Sequence, residues 1–179
     1  MRTPVAGVGY DGRKLTPAVA PTRNDDKREV QSTGKETDEM VIEFFMPMEH
    51  VPTVTAQEHK VAVVNGKPRF YDPPELARAK ANLIAALLAR YIPAEKLTGP
   101  LHLHVVWCFL TDRHPDGAWR DTKPDTDNLQ KLLKDCMTQV GFWEDDAQVC
   151  SELIEKRWVH GIRKGGTASG IWIQVKQLA

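Results

Sequence analysis

Carboxylates stand at both ends of one short stretch, Lys123 to Asp146, and their spacing is the strongest chemical signal in the chain. Asp125 and Asp127 lie one residue apart near its start, and the acidic run 144–146 closes it. A hard cation such as Mg²⁺ prefers carboxylate oxygens and keeps several waters, so a few converging aspartates suffice to hold it. In phosphodiester hydrolysis such an ion activates water and neutralises developing charge. The pattern favours a metal site if the two ends meet in space.

The residues between the two acidic groups predict a helix. Six side chains recur at i, i+3, i+4, i+7, i+8 and i+11, which is one face of an α-helix. They are Leu129, Leu132, Leu133, Cys136, Met137 and Val140. A helix over 128–140 spans ~20 Å at 1.5 Å per residue, and the residues 141–145 return at most ~17 Å. Closure is tight, and it requires Gly141 as the helix C-cap followed by an extended return.

On spacing alone, a structural role for these carboxylates stays open. Asp125 or Asp127 suits the N-cap of the helix, and acidic residues are favourable near a helix N-terminus. Asp145 and Asp146 suit a solvated turn. The metal site is therefore one of two interpretations that the spacing permits.

Other proteins with an Asp-x-Asp pair fit this sequence poorly. An EF-hand loop starting at Asp125 needs Gly at its sixth position and Glu at its twelfth, where this chain has Gln130 and Cys136. A phosphatase-type nucleophilic aspartate normally follows a hydrophobic strand, but residues 120–124 are polar. A metal-dependent glycosyltransferase needs a nucleotide-binding α/β domain, for which this chain is short and lacks a Gly-rich phosphate loop.

The rest of the chain supplies the elements that must position this stretch. Asn65-Gly66, a dipeptide favoured in type I′ turns, predicts a hairpin of strands 60–64 and 67–71. Asp72-Pro-Pro-Glu75 predicts the start of a helix that runs to about Tyr91. One face of this helix carries Leu76, Lys80, Leu83, Leu87 and Tyr91, and Ile84 and Leu88 are expected to widen it. Further strands are predicted over 40–48, 101–110, 148–160 and 171–176. The order β-β-β-α-β-α-β-β indicates a small α/β (α+β) domain, in which a mixed sheet packs with two main helices and the nearly apolar strand 101–110 is central.

Composition limits the function classes. The 179 residues carry 24 basic and 24 acidic side chains, so any attraction to phosphate must come from local patches. The three cysteines form no C-x-x-C pair, which favours buried free thiols in a reducing cytoplasm. No apolar run approaches the ~18 residues of a membrane span. Residues 1–38 are expected to form a disordered or loosely attached tail, or an arm that orders on a partner, and 39–179 to form the domain.

Two histidines give a weaker signal, which is for a zinc site. His102 and His104 are two residues apart and project from the same face of the predicted strand 101–110. No third zinc ligand stands at a familiar spacing. Two ordinary strand histidines are therefore expected.

The string D-T-D-N-L-Q-K, followed by G-F-W-E-D-D-A-Q-V, resembles the RusA family of Holliday-junction resolvases. In that family D-x-D-N-x-x-K is followed by a helix and a W-x-D-D-x-Q-V segment at matching spacing. The resemblance is specific from about 123 to 149 and extends loosely over 40–178, whereas the tail and the longer loop 111–123 lie outside the pattern. It implies an endonuclease dependent on Mg²⁺, or on Mn²⁺ as a substitute, that resolves four-way junctions and other branched DNA in recombination and repair in a bacterial or phage-infected cell.

The resemblance also assigns roles to individual residues. Asp125, Asp127 and Asp146 match the family's essential carboxylates and are expected to bind the metal. Lys131 matches the catalytic lysine, one helical turn after Asp127 on the same side. There it would stabilise the phosphorane charge or orient the attacking water. A simple surface pair between Asp127 and Lys131 is the alternative.

Four more residues match the family's motif. Asn128 is expected to orient Asp127 or to cap the helix, and Asp145 to support the site. Trp143 is expected to pack the return loop against the helix rather than to stack on a base. Gln148 matches without an assigned role.

Members of this family are homodimers, which implies two active sites making symmetric cuts across one junction. Because carboxylates repel DNA, a phosphate-binding surface must flank each acidic centre. The candidates are Arg113, Arg120, Lys123, Lys134, Lys156, Arg157, Arg163 and Lys164. The balanced net charge departs from the basic character expected of a DNA-binding protein. A catalytically silent protein that binds branched DNA is the alternative function, but such a protein would benefit from losing the aspartates.

Overall fold

The computed structural model of this chain describes residues 40–54, 60–90 and 92–178. Its strands are β1 (Val41–Pro47), β2 (Lys60–Val64), β3 (Lys67–Tyr71), β4 (Leu101–Leu110), β5 (Val149–Val159) and β6 (Gly170–Gln177). Its helices are α1 (Pro74–Arg90) and α2 (Thr126–Val140). The predicted order of elements is confirmed, while the predicted tail over 1–38 lies outside the described residues.

Four of the strands form one mixed sheet in the order β1-β6-β4-β5. Strand β4 is central, as predicted, and pairs in parallel with β5 and antiparallel with β6. Its odd-numbered residues from Leu101 to Phe109 are buried and join the side chains of both helices in the core. Strands β2 and β3 pair only with each other, so the predicted hairpin forms a separate two-stranded sheet.

The helices present the faces that their periodicity predicts, with one exception. Leu129, Leu132 and Leu133 of α2 are completely buried, and each such leucine stabilises the fold by roughly 1.5–3 kcal/mol relative to an exposed one. In α1, Leu83 is also completely buried. Leu88 was expected to widen that face but is 56% exposed. The stripe that α1 buries is therefore narrower than predicted.

The polar loop 111–124 covers the outer edge of β5. Backbone hydrogen bonds join Trp158 N–H to the carbonyl of Ala118 (2.8 Å) and Arg120 N–H to the carbonyl of Lys156 (3.0 Å). The loop thus runs beside β5 in antiparallel fashion before it enters α2. This pairing fixes the register between β5 and the segment that carries the Asp-x-Asp motif.

The cysteines are free thiols, as predicted, and Cys108 and Cys136 are buried, but the expected burial is wrong for Cys150, which is exposed on β5. Burial raises the pKa of Cys108 and of Cys136 to about 11, so both remain protonated at neutral pH. Across the described ranges, no helix is long and apolar enough to cross a membrane.

Candidate active site

The Asp-x-Asp pair lies at the start of α2, and neither carboxylate caps the helix by a hydrogen bond. Asp125 occupies the N-cap position with extended backbone (φ −73°, ψ 149°), yet its side chain makes no capping hydrogen bond. Asp127 lies in the first turn and is exposed. Its carboxylate makes no hydrogen bond or ion pair with the rest of the described chain, and the Lys131 ammonium pairs with Asp135 and Asp146 instead. The carboxylates of both aspartates are therefore available for a ligand.

The chain turns back immediately after α2. Gly141 adopts a left-handed conformation (φ 90°) as the C-cap, and its N–H donates to carbonyls of the last turn. This conformation is the usual helix stop for glycine, which has no Cβ to clash. Trp143 is 0% exposed, and its indole N–H donates to the hydroxyl of Thr138 (2.6 Å). The predicted C-cap and the predicted packing role of Trp143 are both confirmed.

Asp145 has a structural role in the turn that follows. It is the N-cap of a short 3₁₀ turn over Asp146–Gln148, and its carboxylate accepts from the N–H of Ala147 (2.8 Å). Capping orients the backbone of the next residue, Asp146, whose own side chain points back to α2. The motif position beside the predicted ligand therefore supports it through the backbone.

Gln148 anchors this turn from both ends of its side chain. The amide oxygen accepts from the N–H groups of Glu144 (2.9 Å) and Asp145 (3.3 Å). The amide nitrogen lies 3.2 Å from each of the carbonyl oxygens of Leu97 and Gly99. The pattern Asp-x-x-Gln is that of a capping box, so the sequence contained a signal for this role that was missed.

Lys131 is where α2 and the return turn meet. Its ammonium lies 2.7 Å from a carboxylate oxygen of Asp135 and 3.5 Å from one of Asp146. The hydrogen bond with Asp135, and then the charge of Asp146, raise the pKa of Lys131 above its usual value. The alternative interpretation, a surface pair between Lys131 and Asp127, is wrong, because the Lys131 ammonium pairs with Asp135 and Asp146. Asp135 was missed, although it stands at i+4 from Lys131, a spacing that places the two on one helix face.

The carboxylates of the site fit a divalent ion in their chemistry but not in their present positions. Among the described residues, no three His, Cys, Asp or Glu side chains lie together closely enough to hold an ion in their present positions. The chemistry of the donors nevertheless fits. Among the described residues, the carboxylates of Asp125 and Asp127 have no side-chain partner and that of Asp146 contacts only the Lys131 ammonium. Carboxylate oxygens are the ligands that Mg²⁺ and Mn²⁺ prefer.

A comparison with known families decides the identity of the chain. Residues 47–164 match the model of the family described as Endodeoxyribonuclease RusA. The chain belongs to the RusA family. A relative from Lactococcus phage r1t, named Crossover junction endodeoxyribonuclease rusA, is 32% identical over 114 residues, which cover 62% of this chain and 83% of the relative. The matched family range contains Asp125, Asp127, Lys131 and Asp146.

The eight basic residues predicted to bind DNA in this RusA-family protein fall into two sets. The side chains of one set have partners among the described residues, and those of the other set do not. Five are used within the protein, because three form ion pairs with acidic side chains and two donate to backbone carbonyls. They are Lys134, Arg157 and Lys164 in the first group, and Arg120 and Lys156 in the second. Arg113, Lys123 and Arg163 form no side-chain hydrogen bond or ion pair with other described residues. Arg113 and Arg163 line one groove of about 930 Å³ at the end of β4 and β5.

The two strand histidines of this RusA-family chain have ordinary partners, as expected. His102 Nδ1 lies 2.9 Å from the hydroxyl of Ser151. His104 Nε2 lies 3.3 Å from a carboxylate oxygen of Glu155, and its ring meets Trp172 edge to face at 4.8 Å. Both side chains therefore belong to the outer face of the sheet rather than to the acidic site.

Proposed function

We propose that this protein is a divalent-metal-dependent endonuclease that resolves Holliday junctions and other branched DNA by paired phosphodiester hydrolysis. The observation that carries the proposal is the return of Asp146 to within 3.5 Å of Lys131, one helical turn after the Asp-x-Asp pair. Membership of the RusA family and the name of the phage relative support the choice of substrate. The protein acts as a homodimer, with one acidic site for each cut.

The residues of the site divide the work. Asp125, Asp127 and Asp146 would hold Mg²⁺, or Mn²⁺ in its place. When bound, such an ion lowers the pKa of a water and neutralises charge on the reacting phosphate. Lys131, whose raised pKa keeps it protonated, offers its ammonium to the negative phosphorane. The side-chain amide of Asn128 makes no hydrogen bond with other described residues, so it is available to Asp127 or to the substrate.

The basic side chains that have no partner among the described residues are the ones that contact DNA as it approaches the site. Lys123 stands two residues before Asp125, and loop 111–124 connects this point to the groove lined by Arg113 and Arg163. The logarithm of the DNA affinity falls linearly with the logarithm of the salt concentration. Each phosphate that such a residue neutralises adds about −0.9 to the slope of that line. With three unpaired side chains among the eight candidates in the described residues and no net charge, binding is expected to be modest and its dependence on salt shallow.

The test is cleavage of a synthetic four-way junction by wild-type protein and by Asp127→Asn. Wild type should cut in Mg²⁺ and stop on addition of a chelator, while the variant should bind the junction and not cut it. Asp121→Asn is the matched control, because it removes an exposed carboxylate from the same segment outside the motif. Cleavage by Asp127→Asn at the wild-type rate would show that Asp127 is not a ligand. Linear duplex and flap substrates establish whether the activity is specific for branches.

A catalytically silent protein that binds branched DNA is the second candidate. The observation in its favour is that no three potential ligands are assembled in the described part of the chain. Against it, three carboxylates placed beside DNA weaken binding by repulsion. Junction binding without cleavage at any concentration of Mg²⁺ or Mn²⁺ would select this candidate.

A further inference from the structure

Three successive backbone carbonyls lead into α2, and two basic side chains reach all of them. The Lys156 ammonium donates to the carbonyl oxygens of Thr122 and Pro124, each at 2.8 Å. The Arg120 guanidinium donates through Nη2 to the carbonyl of Lys123 and through Nε to the hydroxyl of Thr122 (3.2 Å). The segment before the Asp-x-Asp motif is thus held by side chains from outside the motif.

The sheet supports both of these side chains. The Arg120 Cζ lies 3.9 Å from the ring centre of Phe109 and 4.5 Å from that of Trp158. These rings are register partners on the parallel strands β4 and β5, and a guanidinium over aromatic faces is attracted more strongly when it loses water. Lys156 is also a residue of β5, so it starts from the same strand as Trp158. The carbonyls are therefore tied to two neighbouring strands of the four-stranded sheet.

These contacts restrict the backbone of Asp125 directly. A peptide unit is planar, so a hydrogen bond to the carbonyl of Pro124 also fixes the orientation of the N–H of Asp125. The contacts to the carbonyls of Thr122 and Lys123 fix the two preceding peptide planes in the same way. Because the Asp125 side chain makes no capping bond, these contacts hold the approach to the motif in its place.

We propose that Arg120 and Lys156 are positioning residues for the metal-binding pair Asp125 and Asp127, and not DNA contacts. Their hydrogen bonds to the carbonyls of residues 122–124 hold the backbone from which both carboxylates project. The inference rests on the proposed function in one respect, which is that the two aspartates bind a divalent ion. It reassigns two of the eight basic residues that the sequence predicts as DNA-binding.

The two roles differ in what they change. A lysine that contacts phosphate contributes to junction affinity, and its loss lowers the salt slope by about 1. A lysine that positions metal ligands contributes to metal affinity, and the loss of such an outer contact typically costs 10–100-fold in metal affinity or activity. A merely structural role would move neither the metal affinity of a folded variant nor its salt slope.

The experiment compares Lys156→Met with Lys123→Met, because both remove one lysine charge beside the motif and only Lys123 is unpaired. Mn²⁺ binding to the free protein is measured by calorimetry, and junction affinity is measured without divalent ions over a range of salt. Lys156→Met should weaken Mn²⁺ binding about 10-fold or more and leave the salt slope unchanged. Lys123→Met should leave Mn²⁺ binding unchanged and lower the salt slope by about 1.

Two further variants keep the test decisive. Lys156→Arg retains donors and should restore part of the Mn²⁺ affinity, whereas Arg120→Lys keeps the charge and should still weaken Mn²⁺ binding, so it replaces Lys156→Met if that variant fails to fold. Wild-type Mn²⁺ affinity in Lys156→Met, with a reduced salt slope, would overturn the inference and leave the proposed function standing. A wild-type protein that neither binds Mn²⁺ nor cuts junctions would overturn the proposed function itself.

Discussion

Two backbone segments bring aspartates to the site, and they are held in different ways. The entry segment, 120–125, is fixed mainly by contacts with the sheet, through Lys156, through the two rings that hold the Arg120 guanidinium, and through its pairing with β5. The return segment, 141–148, is fixed largely from within, by the left-handed Gly141, the buried Trp143 and the side chain of Gln148. A disturbance in the sheet should therefore reach Asp125, whereas the return turn should withstand it.

The largest expected effect tests whether both segments serve one site. Asp125→Asn and Asp146→Asn should each lower the rate of junction cleavage by more than the ~100-fold that loss of an outer contact can cost. Both changes are nearly isosteric and affect partly or fully exposed side chains, so the fold should be retained. The measurement is single-turnover cleavage at saturating protein. Near wild-type cleavage by Asp146→Asn alone would show that the return segment does not belong to the site.

The free energy of unfolding should depend strongly on Trp143, the buried residue that anchors the return segment. Trp143→Ala should lower the free energy of unfolding by about 3 kcal/mol or more, because it empties a buried site. The control is Trp119→Ala, since Trp119 is 64% exposed and contacts Arg157 by stacking. That change should cost about 1 kcal/mol or less. Equal losses in urea unfolding would contradict the idea that the return segment depends on the buried indole.

A smaller effect is expected at Gln148. Gln148→Ala removes the hydrogen bonds at both ends of the amide and should lower the free energy of unfolding by about 1 kcal/mol. It should also weaken Mn²⁺ binding by about 10-fold, because Asp146 loses its support. Gln148→Glu is the matched control, since it keeps the acceptor for Glu144 and Asp145 and loses the donor. If Gln148→Ala binds Mn²⁺ as wild type does, the turn holds Asp146 without this side chain.

The smallest effect concerns Lys131 and pH. Its pKa is raised by Asp135 and Asp146, so its contribution to stability is present below the unfolded pKa of about 10.4 and is lost as pH rises through the folded pKa. For an exposed pair this contribution should be about 0.5 kcal/mol or less. The difference in unfolding free energy between wild type and Lys131→Met should therefore shrink between neutral pH and pH about 11. A difference that grows over this range would contradict the assignment.

The difference between the entry segment and the return segment also explains what could be predicted from the sequence. The helix α2, the stop at Gly141 and the burial of Trp143 follow from signals a few residues long, such as helical periodicity and a C-cap glycine. The contacts of Lys156 with carbonyls more than 30 residues earlier have no local signal. They exist because loop 111–124 lies along β5, which only the folded sheet determines.

Strand β6 has a consequence for the order in which this molecule can form during synthesis. It is the last strand of the described chain, yet it lies between β1 and β4 and is the neighbour that joins them. Until the ribosome has released residues 170–177, β1 has no strand to pair with and β4 has one bare edge. A chain cut off before Gly170 would therefore expose unpaired strand edges that invite aggregation. The four-stranded sheet can therefore be completed only after this strand has been made.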